Sequence, residues 1–114
     1  MNVLFLAEAV SLAHIGRPLL LAKWAKEAGI EVHFAASTKA LKKTNADSYG
    51  FSTYDLYTIE ENLFYERVNQ GKFFYQANEL KKYVAAEMAL ILKIKPNLIV
   101  SDFRLTSAIS SELT

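Results

Sequence analysis

The chain has 114 residues, of which 52% are apolar, and its formal net charge is +1. This length suits one small domain or part of one, with ample apolar material for a core. The near-neutral charge gives no reason to expect nucleic acid as a partner. Because the chain has no cysteine, disulfides, zinc thiolate sites and thiol catalysis are excluded, and a cytoplasmic location is compatible with the composition.

The chain begins with a pattern typical of a strand followed by a helix. Residues 2–7 form a nearly continuous apolar run, which favours a parallel strand covered on both faces. Residues 8–15 are predicted to form a loop. Pro18 fits the first turn of a helix that continues over residues 19–28, and Gly29 is a natural stop signal for that helix.

The middle of the chain predicts two further strands and one short helix. A second strand is expected over residues 31–36, followed by a capped helix that ends near Lys43. Residues 51–58 alternate around aromatic and β-favouring side chains and predict a third strand. Residues 57–71 lack a clean period and are interpreted as a long loop with some helical turns.

The clearest helical pattern covers residues 72–94. Its apolar residues recur at steps of three and four and predict one buried stripe: Phe73, Ala77, Leu80, Val84, Met88 and Ile91. Pro96 prevents continuation of this helix. Residues 98–101 predict a fourth strand, and residues 105–113 begin another helix.

This order of elements predicts an α/β fold. Strands separated by helical crossovers imply a Rossmann-like open parallel sheet of about four strands, with helices on both faces. Because the last predicted helix is short and no stop signal follows it, we expect the chain to be a truncated part of a larger fold.

His14 and Asp102 are the candidate catalytic residues. His14 follows the first predicted strand and Asp102 ends the last one, so both are expected at the carboxyl edge of the sheet, where ligands bind. There the aspartate can fix the histidine tautomer while the other ring nitrogen takes a proton from a substrate hydroxyl. The structural alternatives are a loop histidine that caps the first helix and an aspartate that caps the helix after it.

Three segments resemble a known enzyme family when they are taken in order. They are residues 2–6 with His14 and Leu21-Ala22, then residues 29–34 (GIEVHF), then residues 95–102 (KPNLIVSD). Together they resemble the start of a GT-B glycosyltransferase of the nucleotide-sugar-dependent group that includes UDP-glucuronosyl and macrolide glycosyltransferases. The chain departs from the family pattern at Ala13, at Pro18, which is one place late, and at Ile30.

The resemblance implies that residues 1–114 are the N-terminal, acceptor-side domain, truncated before the donor-binding C-terminal domain. The implied reaction is inverting transfer of a sugar from a nucleotide-sugar, such as a UDP-sugar, to an acceptor hydroxyl. It assigns His14 as general base and Asp102 as the residue that orients it. The acceptor would be a small molecule or a lipid, and these 114 residues alone would be inactive.

Aromatic residues offer candidate walls for an acceptor pocket. We select Phe64, Tyr65 and Phe74 from a set that also contains Phe73 and Tyr75, about half of which are expected in the core. Neither a metal site nor a cofactor is predicted, because the chain has no ligand cluster and no glycine-rich phosphate loop.

Two expectations remain open beside the enzyme reading. Apolar surface left uncovered by a truncated fold predicts a homodimer or poor solubility. The alternative function is a stand-alone flavodoxin-like α/β binding or regulatory module without catalysis, because a fold alone does not fix a function.

Overall fold

The fold is centred on one four-stranded parallel sheet. Across the sheet the strands follow the order β3 (Ser52–Asp55), β2 (Glu31–Ala36), β1 (Asn2–Ala7) and β4 (Leu98–Asp102). A computed structural model describes residues 1–8, 12–72, 75–102, 104 and 106–113, without the side chains of residues 12–14, 61, 102 and 107–109. The predicted α/β class, the parallel sheet and its four strands are confirmed.

The central strand is β1 (Asn2–Ala7), which pairs with β2 (Glu31–Ala36) on one side and β4 (Leu98–Asp102) on the other. Its side chains alternate between the two faces of the sheet, as the twofold period of a strand requires. Val3 and Phe5 enter the core on one face, and the intervening Leu4 enters the core on the other. A strand buried on both faces explains why residues 2–7 are apolar without interruption.

One face of the sheet is covered by α1 (Leu12–Glu27) and α2 (Thr38–Thr44). The Ser37 side chain caps α2 by accepting a hydrogen bond from the Ala40 amide, so the predicted cap is confirmed. A short 3-10 helix, Ala46–Tyr49, follows α2. The core on this face also contains buried side chains from β1 and β2 and from the segment before β3: Ala7, Val32, Phe34, Ala36 and Phe51.

The first helix begins earlier than the sequence predicts. It starts at Leu12, so residues 12–15 are helical and Pro18 lies inside the helix instead of in its first turn. A proline there removes one backbone hydrogen bond. The helix nevertheless continues because its buried residues recur at helical spacing against the sheet: Ile15, Pro18, Leu19 and Ala22.

The opposite face of the sheet carries α4 (Ala77–Ile94). Ile91 packs there against Leu4 and Leu6 of β1. Helices on both faces of the sheet are therefore confirmed. The remaining strand, β3 (Ser52–Asp55), is shorter than predicted.

One segment that was predicted as a loop forms a helix. Part of the predicted 57–71 loop is the nine-residue helix α3 (Glu61–Asn69), which is held against α4 by an ion pair. The last helix, α5 (Ser107–Leu113), follows β4 and contacts α4. Residue 105, at the predicted start of that helix, lies outside the described residues.

The buried face of α4 differs from the predicted apolar stripe. Glu79, Tyr83, Glu87 and Ile91 are the buried residues of this helix, at successive steps of four. Within the predicted stripe only Ile91 is buried; Leu80, Val84 and Met88 are half-buried, Ala77 is exposed and Phe73 lies outside the described residues. The helix is rotated toward its glutamates because both carboxylates find charged partners there, as described below.

No helix in the described part of the chain combines the length and the apolar character that crossing a membrane requires.

The central position of β1 predicts that its leucines matter for stability. Leu4 is fully buried whereas Leu20 is 46% exposed. We expect Leu4→Ala to lower the free energy of unfolding by about 2–5 kcal/mol, because it removes packed methyl groups and leaves a cavity. Leu20→Ala makes the same chemical change on the surface and should stay within about 0.5 kcal/mol of the parent. Urea denaturation measures both, and equal effects would contradict the central placement of β1.

Candidate functional site at the carboxyl edge of the sheet

The two candidate catalytic residues come from neighbouring parts of the sheet edge. In the register of β1 and β4, Ala7 lies opposite Asp102, so these two strands end side by side. His14 is the third residue of α1, the helix that follows β1. The sheet has β1 at its centre and β4 directly beside it. The side chains of His14 and Asp102 lie outside the described ones, so their pairing stays a prediction.

The proline inside α1 has a direct consequence for this edge. In a regular helix the carbonyl of His14 would accept a hydrogen bond from the amide of residue 18. Residue 18 is Pro18, which has no N–H group. The first turn of α1 is therefore freed from one helical hydrogen bond at the candidate base.

A buried ion cluster lies beside these two strand ends. Glu8 directly follows β1, Arg104 comes two residues after β4, and neither side chain is exposed to solvent. The Nη1 atom of Arg104 lies 3.4 Å from Oε1 of Glu8, and its Nε atom donates to Oε2 of Glu87 over 2.5 Å. The guanidinium also lies over the ring of Tyr83, with Cζ 3.9 Å from the ring centroid. One arginine thus joins β1, β4 and α4.

The Glu87 carboxylate is hydrogen-bonded on both oxygens. Its Oε2 accepts from the Thr106 hydroxyl at 2.7 Å, and its Oε1 accepts from the Ser110 hydroxyl at 2.6 Å. A buried charge is tolerated only when it is paired and hydrogen-bonded. These bonds therefore tie α5 and the segment before it to the same cluster.

Burial controls the protonation of this cluster. The pKa of Glu8 is raised because loss of water outweighs the attraction of Arg104. The Tyr75 hydroxyl donates to Oε2 of Glu8. Burial, and then proximity to Glu8, raise the pKa values of Tyr75 and Tyr83 well above their usual range. Both tyrosines therefore keep their protons at neutral pH.

A second buried ion pair lies away from the strand ends. Arg67 on α3 donates to both oxygens of Glu79 on α4, at 2.5 and 3.0 Å. This bidentate geometry is the strong form of an arginine–carboxylate pair. The guanidinium of Arg67 lowers the pKa of Glu79, in contrast to the raised pKa of Glu8.

The candidate acceptor residues separate into different environments. Phe64 is buried in a small cluster with Ile59 and Tyr83. Tyr65 is 43% exposed and meets Phe64 edge to face, with ring centroids 5.4 Å apart. Phe74 lies outside the described residues.

His33, the other histidine, is engaged on both ring nitrogens. Its Nδ1 lies 2.8 Å from the Tyr54 hydroxyl and its Nε2 lies 2.6 Å from the Glu31 carboxylate. These contacts give it a structural role on β2 and make it a convenient reference histidine. Among the described residues, no group of three or more metal-ligating side chains occurs.

Sequence reasoning did not select Glu8, Glu87 or Arg104 as site residues. Two signals were present: Glu8 is a charge directly after a buried strand, and Glu87 repeats the four-residue spacing of Tyr83 and Ile91. Arg104 had only its position two residues after Asp102. Its partners come from distant segments, and no spacing within the sequence identifies them.

Comparisons with known proteins point to glycosyltransferases. Over 112 residues the chain is 35% identical to a PGL/p-HBAD biosynthesis rhamnosyltransferase of Mycobacterium bovis, and 32% identical to a PGL/p-HBAD biosynthesis glycosyltransferase of Mycobacterium tuberculosis. It is also 32% identical to an M. bovis protein named as an inactive PGL/p-HBAD biosynthesis glycosyltransferase. Each match covers 98% of this chain but only 24%, 26% and 30% of the relative, respectively. No protein-family model matches the chain.

Two solved structures share the fold. MurG of Acinetobacter baumannii matches 98% of this chain and 32% of its own, with a TM-score of 0.67 and 14% identity. The spinosyn forosaminyltransferase SpnP matches 89% of this chain and 25% of its own, with a TM-score of 0.60 and 22% identity. Both are GT-B glycosyltransferases, so the chain has the fold of part of a GT-B enzyme, as the sequence motifs predicted.

The two buried glutamates should respond to pH in opposite directions. Glu8 binds its proton more tightly in the folded state, so the stability it contributes is full at low pH and is lost as the pH rises through its raised pKa. Glu79 has a lowered pKa, so its contribution is full at neutral pH and is lost as the pH falls through that pKa.

We therefore compare the parent with Glu8→Gln and Glu79→Gln by urea denaturation across the acidic range. The stability difference between parent and Glu8→Gln should fall as pH rises, and the difference for Glu79→Gln should rise. Parallel slopes for the two glutamates would contradict this assignment.

Proposed function

We propose that this chain is the acceptor-side portion of an inverting glycosyltransferase that moves a sugar from a nucleotide-sugar, such as a UDP-sugar, to an acceptor hydroxyl. His14 acts as the general base and Asp102 orients it. The observation that supports this most directly is the register of Ala7 opposite Asp102, with α1 and its His14 following β1. The similarity to named glycosyltransferases supports the reaction class.

The proposed chemistry is a direct displacement. The acceptor oxygen attacks the anomeric carbon, the bond to the nucleotide diphosphate breaks, and the diphosphate leaves with the electron pair. His14 takes the acceptor proton as the new bond forms. The imidazolium of histidine has a pKa of about 6.5, so the neutral imidazole is a suitable base. Asp102 stabilises the resulting imidazolium without becoming protonated. Attack from the side opposite the leaving group inverts the anomeric configuration.

The acceptor, a small molecule or a lipid, would lie near the carboxyl edge of the sheet. The exposed Tyr65 and its neighbour Phe64 are proposed as part of its wall, with Phe74 as a third member.

The donor would be held by a C-terminal domain, as in the family that the sequence resembles. Residues 1–114 alone would then position only one of two substrates and should not transfer sugar. A cytoplasmic location is part of the proposal, and the cysteine-free sequence is compatible with it.

A second candidate is a non-catalytic α/β binding or regulatory module. It is favoured by one observation: a relative named as inactive matches this chain at 32% identity, the same value as a relative without that label. Overall similarity therefore does not separate the two candidates, and the chemistry at His14 must do so.

The dyad predicts a specific titration of His14. If the Asp102 carboxylate pairs with the imidazole, it raises the pKa of His14, and Asp102→Asn should lower that pKa by about 1 or more. Two-dimensional NMR of the imidazole groups measures it, and His33 serves as an internal reference because its partners are Tyr54 and Glu31. Identical His14 titrations in parent and variant would show that no dyad forms and would favour the non-catalytic module.

We also propose that two copies associate through the outer side of β4. Within the described sheet β4 is an edge strand, and Leu98 on it is 47% exposed. A groove beside it is lined mainly by apolar side chains: Ile91, Leu92, Lys95, Pro96, Ile99 and Ser111. An open strand edge is a template for pairing with another chain.

Light scattering over a range of concentrations should show a dimer, and Leu98→Lys should shift it toward monomer because a charge blocks edge pairing. Leu20→Lys is the matched control, because Leu20 is 46% exposed and lies on α1, which covers the other face of the sheet. A monodisperse monomer at high concentration would overturn this association.

A further inference from the structure

The β4 strand end is fixed from two sides. On one side Asp102 lies opposite Ala7 in the parallel ladder. On the other side the chain reaches Arg104 only two residues later, and the Arg104 side chain is completely buried. Asp102 therefore ends a paired strand, and a single position in the sequence separates it from a fully buried side chain.

The Arg104 guanidinium is held by three separate segments of the chain. It contacts Glu8 after β1 and Glu87 on α4, as described above. Its Nη2 donates to the Tyr57 carbonyl at 2.6 Å, and its Nη1 donates to the Thr58 hydroxyl at 3.2 Å, both two or three residues beyond β3. The side chain thus connects the ends of β1, β3 and β4 with α4.

The geometry requires arginine in particular. A guanidinium has five donors in a rigid planar fork, and three of its nitrogens are used here on different partners. A lysine carries the same charge but is a single point with a flexible stem, so it cannot meet these directions together. Replacing Arg104 by lysine keeps the charge and removes the geometry.

We propose that Arg104 is the positioning residue for Asp102: its buried contacts fix the end of β4, on which the proposed dyad with His14 depends. This inference rests on the proposed function, because it concerns the same dyad. Arg104 itself is buried and does not touch the substrate. It acts through the backbone that connects it to Asp102.

The test compares Arg104→Lys with Arg67→Lys in the 114-residue chain. Arg67 is the matched control because it also forms a buried pair with a glutamate of α4, but on α3 instead of at the strand end. The readout is the His14 titration by NMR, with His33 reporting that the sheet remains folded. Since neither substitution changes the net charge, a change at His14 reports geometry and not the loss of a positive charge.

We expect Arg104→Lys to lower the pKa of His14 by at least half of the decrease caused by Asp102→Asn, and Arg67→Lys to leave it unchanged. If Asp102→Asn lowers the pKa of His14 but Arg104→Lys does not, the positioning role is wrong and the proposed dyad stands. If both lysine variants lower it equally, the effect is general destabilisation and the positioning role is also wrong. If Asp102→Asn has no effect, the dyad itself is wrong and the positioning role falls with it.

A milder variant decides the case if Arg104→Lys does not fold. Thr58→Val removes the hydroxyl that accepts from Nη1 of Arg104 and donates to the Leu56 carbonyl, and it nearly preserves the side-chain shape. It should lower the pKa of His14 by a smaller amount in the same direction, whereas Thr53→Val, whose hydroxyl bonds Asp47 away from the cluster, should not. Equal titrations of His14 in the parent and in Thr58→Val would overturn the proposal.

Discussion

Arg104 holds a positive charge where water is excluded, and the arrangement of the sheet edge follows from satisfying that charge. A buried guanidinium is tolerated only when its donors are matched by acceptors and a carboxylate is close by. Here the acceptors come from the segments after β1 and β3 and from α4. Those segments can meet only if β1 and β4 are neighbours and α4 presents Glu87 inward. The ion cluster and the topology therefore require each other.

The same constraint explains the rotation of α4. An apolar stripe alone would turn Leu80, Val84 and Met88 toward the sheet, but the observed buried line contains Glu79 and Glu87. Removing the partner of a buried charge costs several kcal/mol, typically about 3–5, which exceeds the gain from burying one more aliphatic side chain, about 1.5–3. In the described part of the chain every buried side-chain nitrogen and oxygen has a hydrogen-bond partner. The pairing of buried polar groups, more than the apolar pattern, decides which face of this helix is buried.

The relatives show why the site has to be judged by its own chemistry. A protein named as inactive and one without that label match this chain at the same 32% identity, and each match covers less than a third of the relative. The shared segment explains the fold but not the reaction, because function depends on particular groups placed on a fold. The ionisation of His14, and the residues that position its partner, are the properties that separate the two candidate functions.

The sequence by itself determined the class of fold and much of its order. Alternating apolar runs and periodic segments predicted the parallel sheet, and the positions of His14 and Asp102 in the sequence predict that both lie at one edge of it. These features are local or follow from chain order, so a pattern can carry them. Only the tertiary structure decided the start of α1, because burial of Ile15 and Leu19 against the sheet offsets the hydrogen bond lost at Pro18. It alone revealed the cluster of Glu8, Glu87 and Arg104, because the energy of a buried charge depends on partners that are distant in sequence and meet only when the chain is folded.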